Sequence, residues 1–186
     1  MKAVLITLFF APSLALAIPV AELFDALKDT GGHYEVVGLV CEKAAIIELE
    51  RQYPIDQYEI VNGIVYGNEK KTIGELDVVV FDNTTRKAVL VGEVKCWKNL
   101  QGGKRKARDQ RSRFIENLSR KINLVDGDQQ RYSKSQFDNV QRFVSIGQKG
   151  ATSEGYDLEL ENTLEELMSV RDELVTCQQE GRCHRK

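Results

Sequence analysis

The sequence predicts an α/β fold: a mixed central sheet flanked by helices. Three observations carry this reading. Residues 73–81 and 87–97 are dense in Val, Leu, Ile and Phe, and the second run is apolar on both faces of the pleat, as a strand covered on both sides must be. Apolar residues recur at helical spacing before and after these runs. The order of elements is α-β-β-β-α-β with a terminal helix added, which places helices against a sheet.

Each element has its own reason. Residues 20–28 space Ala, Leu and Phe as a short helix, which Thr30-Gly31-Gly32 ends. A stronger helix is predicted over 39–52, stopping before Pro54. Residues 58–61 and 63–66 read as extended, with Asn62-Gly63 as a candidate turn. The strands at 73–81 and 87–97 are joined by the polar stretch from Asp82 to Arg86. A long basic helix is predicted over 104–122, after the Gly102-Gly103 break. Residues 140–146 read as a strand and 158–177 as an amphipathic acidic helix. Tyr132 and Phe137 fall in a polar stretch with no clear pattern.

A chain of 186 residues suits one domain with a sizeable core, and 42% apolar with 29% charged residues is ordinary for a globular protein. The formal net charge of −2 hides an asymmetry. Residues 95–121 carry ten Lys/Arg against two acids, so a basic segment sits on an otherwise acidic chain. The first 17 residues read as a secretory signal: Lys2, then an apolar run, then Ala15-Leu16-Ala17 as a cleavage pattern. The expected product is one domain over 18–186, secreted or periplasmic, with no membrane attachment after cleavage. Four cysteines suit an oxidising compartment, and Cys177 with Cys183 is the expected pair. With no C-x-x-C and two histidines far apart, the chain lacks a zinc pattern.

The functional signal lies where charges interrupt apolar patterns. Glu93 and Lys95 share a face near the end of a strand that is otherwise apolar. Glu75 and Asp77 interrupt the preceding strand in the same way. Pairing of the two strands through 82–86 would bring three carboxylates and one ammonium together. Carboxylates repel one another, so such a cluster calls for a cation, and hard oxygen ligands suit Mg²⁺ or Mn²⁺. Glu42 adds a third interruption, set within the apolar stripe of its helix, whereas Glu48 and Glu50 read as solvated.

These residues, over about 38–114, resemble the PD-(D/E)xK nuclease superfamily. The likeness consists of a helix carrying Glu42, Gly74-Glu75-Leu76-Asp77, Glu93-Val94-Lys95, and a basic helix with Gln110. The two Gly-Glu segments are similar to those of archaeal Holliday-junction resolvases. Gln110 to Phe114 is similar to the Gln-x-x-x-Tyr element of RecB-like nucleases, with Phe for Tyr. The resemblance implies a restriction-endonuclease-like αβββαβ core with an added C-terminal helix, and a Mg²⁺- or Mn²⁺-dependent phosphodiesterase. In that reading Asp77, Glu93 and the Val94 carbonyl ligate the metal and Glu42 supports it. Lys95 orients or activates water, Gln110 positions Lys95, the water or the substrate, and nucleic acid, with DNA foremost, is the partner. Lys104, Arg105, Arg108 and Arg111 then form a stripe along the phosphate backbone. The alternatives are a solvated basic face that pairs with the acidic terminal helix, and a secreted binding protein that keeps the fold without catalysis.

Overall fold

The computed structural model describes residues 19–185. Helices α1 (Val20–Leu27) and α2 (Leu39–Gln52) precede a run of three antiparallel strands, β1 (Tyr58–Asn68), β2 (Lys71–Asp82) and β3 (Ala88–Val94). Then come α3 (Leu100–Leu118), the short strands β4 (Asn123–Val125) and β5 (Arg131–Tyr132), β6 (Arg142–Gly147), β7 (Leu158–Glu159) and α4 (Leu164–Gln179). The strands form one mixed seven-stranded sheet in the order β5-β4-β1-β2-β3-β6-β7. Its β3–β6 and β6–β7 pairs are parallel. The residues predicted to sit on leader segment 1–17 lie outside the described residues.

The sheet is covered on both faces, as its apolar strands require. On one face Val78, Val80, Leu90 and Val94 pack against α1, α2 and α4, through Leu23, Ala44, Ala45 and Leu167 among others. On the other face Val79, Phe81 and Val91 pack against Phe114 of α3 and the ring of Phe137. A Cβ at Gly92 would come within 2.7 Å of Val78 Cγ1, so only glycine lets β3 lie this close to β2. Strict alternation fails beside Asp77. Leu76 joins Val79 and Phe81, although it should face with Val78 and Val80. Gly63 stands opposite Asp77 in the register, and its φ of 71° takes the left-handed conformation that a glycine adopts without strain.

Several expectations need correction. Asn62-Gly63 is no turn; residues 58–68 run as one strand through the glycine. The terminal helix begins at Leu164 rather than 158, because Thr163 caps it and Glu166 completes the capping box. Residues 158–159 pair with β6 instead. The basic helix starts earlier, at Leu100, with Asn99 accepting from Gly102 N–H, and takes both glycines into its first turn. Tyr132 and Phe137 are core residues. Glu48 is not solvated. It is half-buried and accepts from the Glu161 N–H, and burial pushes its carboxyl up to about 7.

Two disulfides tie the chain, and among the described residues no cysteine is free. Cys177–Cys183 closes a short C-terminal loop, as expected. Cys41–Cys96 was not expected; it spans 55 residues and joins α2 to the segment after β3. By loop-closure entropy alone, the longer bridge stabilises by about 4 kcal/mol and the shorter by about 2 kcal/mol. No helix among the described residues is long and apolar enough to cross a membrane.

Phe114 is fully buried and meets Tyr66 and Phe137 edge to face. Phe114→Ala is expected to lower stability by about 3–5 kcal/mol, read by denaturant unfolding.

Candidate active site

The strand pairing puts β2 and β3 side by side, with Val78 opposite Gly92. Asp77, midway along β2, and Glu93, near the end of β3, therefore stand side by side on two adjacent strands. Both are buried, at 6% and 3% exposure. Lys95, the first residue beyond β3, keeps its backbone N–H on Ile146 O at 2.8 Å and turns its side chain between the two acids. Its ammonium donates to Asp77 Oδ2 at 2.5 Å and to Val94 O at 3.0 Å. Asp77 Oδ2 also accepts from Val94 N–H at 2.7 Å. Glu93 Oε2 lies 3.6 Å from Lys95 Nζ, too far for a hydrogen bond.

Glu93 is the group left wanting. Both of its carboxylate oxygens are buried without a hydrogen-bond partner. Desolvation first, then the charge of Asp77, push its carboxyl up to about 8, against the pull of Lys95. Glu42, half-buried on the first turn of α2, rises to about 7 by burial, with the charges of Asp77 and Glu75 adding to the shift. Glu75, exposed on β2, is raised by partial burial and by Asp77. Glu42, Glu75 and Glu93 thus each feel the charge of Asp77 and, against it, that of Lys95.

The donor set fits a hard divalent ion. Glu93 offers two unpartnered oxygens, and Asp77 and the Val94 carbonyl already gather around one cation. Among the described residues no three acid, His or Cys side chains are drawn together tightly enough to hold an ion as they stand. The Lys95 ammonium is the cation between Asp77 and Glu93 in this arrangement.

α3 supplies the roof. Gly103, Ala107, Phe114 and Asn117 are buried along its sheet-facing stripe, and Gln110 falls on the same stripe. Gln110 Oε1 is buried with no partner, so it does not accept from Lys95 here. A cavity of about 30 Å³ lies between α3 and the sheet, room for a water molecule or two. Glu93, Arg108, Arg111, Phe114, Ser145 and Asp157 line it. Ser145 and Asp157 went unnoticed in the sequence; Asp157 Oδ2 accepts from both the N–H and the hydroxyl of Ser145, each at 2.8 Å. Nothing in their local sequence marks them, because β6 and the loop before β7 meet only in the fold.

The basic residues separate. Arg105, Arg108 and Arg111 are exposed, whereas Lys104 is half-buried and donates to Glu154 O at 3.0 Å. Arg111 also lies over the Phe143 ring, 5.5 Å from its centroid. α4 packs on the opposite face of the sheet, with α1 and α2. Among the described residues no Lys or Arg of α3 forms an ion pair, so the acidic terminal helix does not neutralise this face.

No family model matches the chain, and no curated protein matches it. Among solved structures it is similar to the type IIG restriction endonuclease BpuSI, at 17% identity and a TM-score of 0.31. The match covers 82% of this chain but 18% of that one. At that TM-score the likeness says nothing about what this chain does.

A carboxyl with a raised pKa binds its proton more tightly in the folded state than in the unfolded chain. Its contribution to stability is complete below the ordinary carboxylate range and is lost as pH climbs through about 8 for Glu93. Glu93→Gln removes this penalty. In metal-free buffer it is expected to melt above the wild type at about pH 9 and level with it at about pH 4, by thermal denaturation.

Proposed function

We propose that this protein is a divalent-metal-dependent nuclease that hydrolyses phosphodiester bonds in DNA, outside the cytoplasm. The observation that carries the reading is the buried pair Asp77 and Glu93 on either side of the Lys95 ammonium, with both Glu93 oxygens unpartnered. Burying such groups is unfavourable by several kcal/mol unless a cation or hydrogen bonds compensate, and folds keep such arrangements mainly where chemistry uses them.

Asp77, Glu93 and the Val94 carbonyl would hold the metal, Mg²⁺ or Mn²⁺, with Glu42 steadying it from α2. Such an ion supplies Lewis-acid polarisation of the phosphate and makes water more acidic. The chain's own groups do the rest. Lys95 Nζ orients the attacking water and offsets the negative charge that builds on the phosphate oxygens in the transition state. Asp77 fixes Lys95 through the 2.5 Å hydrogen bond, so the ammonium is aimed before substrate arrives. Arg105, Arg108 and Arg111 hold the phosphate backbone by charge, and Arg108 and Arg111 do so beside the cavity that Glu93 lines. Gln110, on the sheet-facing stripe of α3 with its Oε1 buried and unpartnered, would position water or substrate.

Export is supported by the leader pattern at residues 1–17 and by the state of the cysteines, all four of which are disulfide-bonded. A second reading has one observation in its favour. Lys95 already neutralises the acid pair, as it would in a non-catalytic protein that binds nucleic acid through α3 alone.

Incubation of the exported protein with plasmid, linear duplex, single-stranded DNA and RNA, with Mg²⁺ or with chelator, separates these readings. Metal-dependent cleavage is expected. Lys95→Ala is expected to lower kcat by about 10²–10⁴-fold, and Glu93→Ala to abolish metal-dependent cleavage. Metal-independent binding with no cleavage of any substrate favours the second reading. Arg105→Ala with Arg108→Ala is expected to raise KM with kcat little changed, and to reduce the salt dependence of binding by about two counterions.

A further inference from the structure

The Cys41–Cys96 bridge joins two points that touch the site from opposite sides. Cys41 precedes Glu42 on α2, and Cys96 follows Lys95 beyond β3. Their Cα atoms are 6.3 Å apart, and Cys41 is 2% exposed within the core on the α2 face of the sheet. The bridge is thus a covalent tie between the segments that carry Glu42 and Lys95.

Each end has non-covalent anchors of its own, Val40 in the core for α2 and the contacts with β6 for residues 95–97, but only the disulfide ties the two ends to each other. The first turn of α2 has no side-chain cap; its N-cap is Gly38, and Glu35, Val36, Val37 and Gly38 before it are all exposed. Charge also works against that turn, because Glu42, Asp77 and Glu75 repel one another. At the other end, residues 95–97 lie outside any strand or helix. From the β6 side they are fixed by Lys95 N–H on Ile146 O and by the Gln148 amide on Trp97 O, at 2.8 and 2.9 Å. On the α2 side the disulfide is the covalent tie. Cys177–Cys183, by contrast, staples the C-terminus, where His184 N–H bonds Lys28 O, and touches nothing in the site.

We propose that Cys41–Cys96 is a redox-dependent positioning strap: the oxidised protein holds Glu42 and Lys95 in working register, and the dithiol form releases them. The inference rests on the nuclease reading of the site and adds its regulation. Two thiol–disulfide exchanges with a disulfide oxidant form the bond. Each Cys thiol gives up its proton and the pair gives up two electrons, and the oxidant leaves as two thiols. In a reducing cytoplasm, where the new chain lies beside the DNA of the cell that made it, the dithiol form has a loosened site. After export the strap closes and activity appears. Enzyme and compartment are thereby matched without a separate inhibitor.

The test compares oxidised protein, the same protein reduced with a dithiol, and the reduced protein reoxidised with a disulfide. Three readouts are taken: plasmid cleavage, Mn²⁺ affinity, and the emission of Trp97, which is the one tryptophan of the chain and adjoins Cys96. Reduction is expected to lower both kcat and Mn²⁺ affinity by about 10- to 100-fold, the range seen when groups that orient metal ligands are lost. KM for DNA is expected to hold, because Arg105, Arg108 and Arg111 lie beyond the first turn of α3, the part that packs on residues 95–97. Trp97 emission is expected to change, and reoxidation to restore all three. Cys41→Ser with Cys96→Ser should match the reduced wild type and ignore the dithiol. Cys177→Ser with Cys183→Ser should keep wild-type kcat and still respond. Unchanged kcat and Mn²⁺ affinity in the reduced wild type, with both thiols shown free by alkylation, overturns the strap while leaving the nuclease reading intact. Loss of far-UV circular dichroism in the Cys41/Cys96 variant overturns it too, since the bond would then be a strut of the fold. Oxidised protein that neither binds Mn²⁺ nor cuts defeats the nuclease reading, and the strap with it.

Discussion

Glu93 sits under the sheet's cover with two carboxylate oxygens and no hydrogen bond to either. The backbone offers it no hydrogen bond, and the nearest ammonium is 3.6 Å away and closer to Asp77. A group in that position either keeps its proton or finds a cation, and the rise of its pKa to about 8 expresses the first of these. The surrounding architecture follows from holding this carboxylate in place. β2 and β3 must pair so that Asp77 and Glu93 stand side by side, Gly92 must be small enough for Val78 to close on it, and β3 must stop at Val94 so that Lys95 can turn back between the acids.

The two faces of the sheet then divide the labour. The α2 face brings a further carboxylate, Glu42, and fixes it covalently through the neighbouring Cys41. The α3 face brings Gln110 and the arginines, and encloses the small cavity beside Glu93. A carboxylate and a row of basic residues therefore approach one strand pair from opposite faces of the sheet. Because α4 lies across the sheet from α3, the acidic part of the molecule does not quench the basic part.

Much of this was legible in the sequence, for physical reasons that can be named. Asp77, Glu93 and Lys95 stood out because charge is unfavourable inside β-branched runs, so an interruption there is informative. α2 was placed at its observed bounds, Leu39–Gln52, because its stripe is regular and Pro54 stops it. What failed depended on partners distant in the chain. Gly63 was taken for a turn residue because its left-handed φ serves turns and mid-strand irregularities alike. Residues 158–163 were given to a helix because their pairing with β6 cannot be seen locally. Glu48 looked solvated because its partner, the Glu161 backbone, is remote. Tyr132 and Phe137 are core only because α3 and β2 fold over them. Nothing local marks the Cys41–Cys96 pair, which follows only by elimination once Cys177 and Cys183 are paired.

The central claim is that Glu93 and its neighbours form a divalent-metal site. It is tested most directly by calorimetric titration of Mn²⁺ into oxidised, metal-free protein at neutral pH, in two buffers of different ionisation enthalpy. Glu42 and Glu93, held up to about 7 and about 8, are partly protonated there and must give up protons as they take the ion. The expected result is saturable binding with net proton release, lost in Glu93→Gln. Absence of saturable binding, or binding that Glu93→Gln leaves unchanged, would contradict the account.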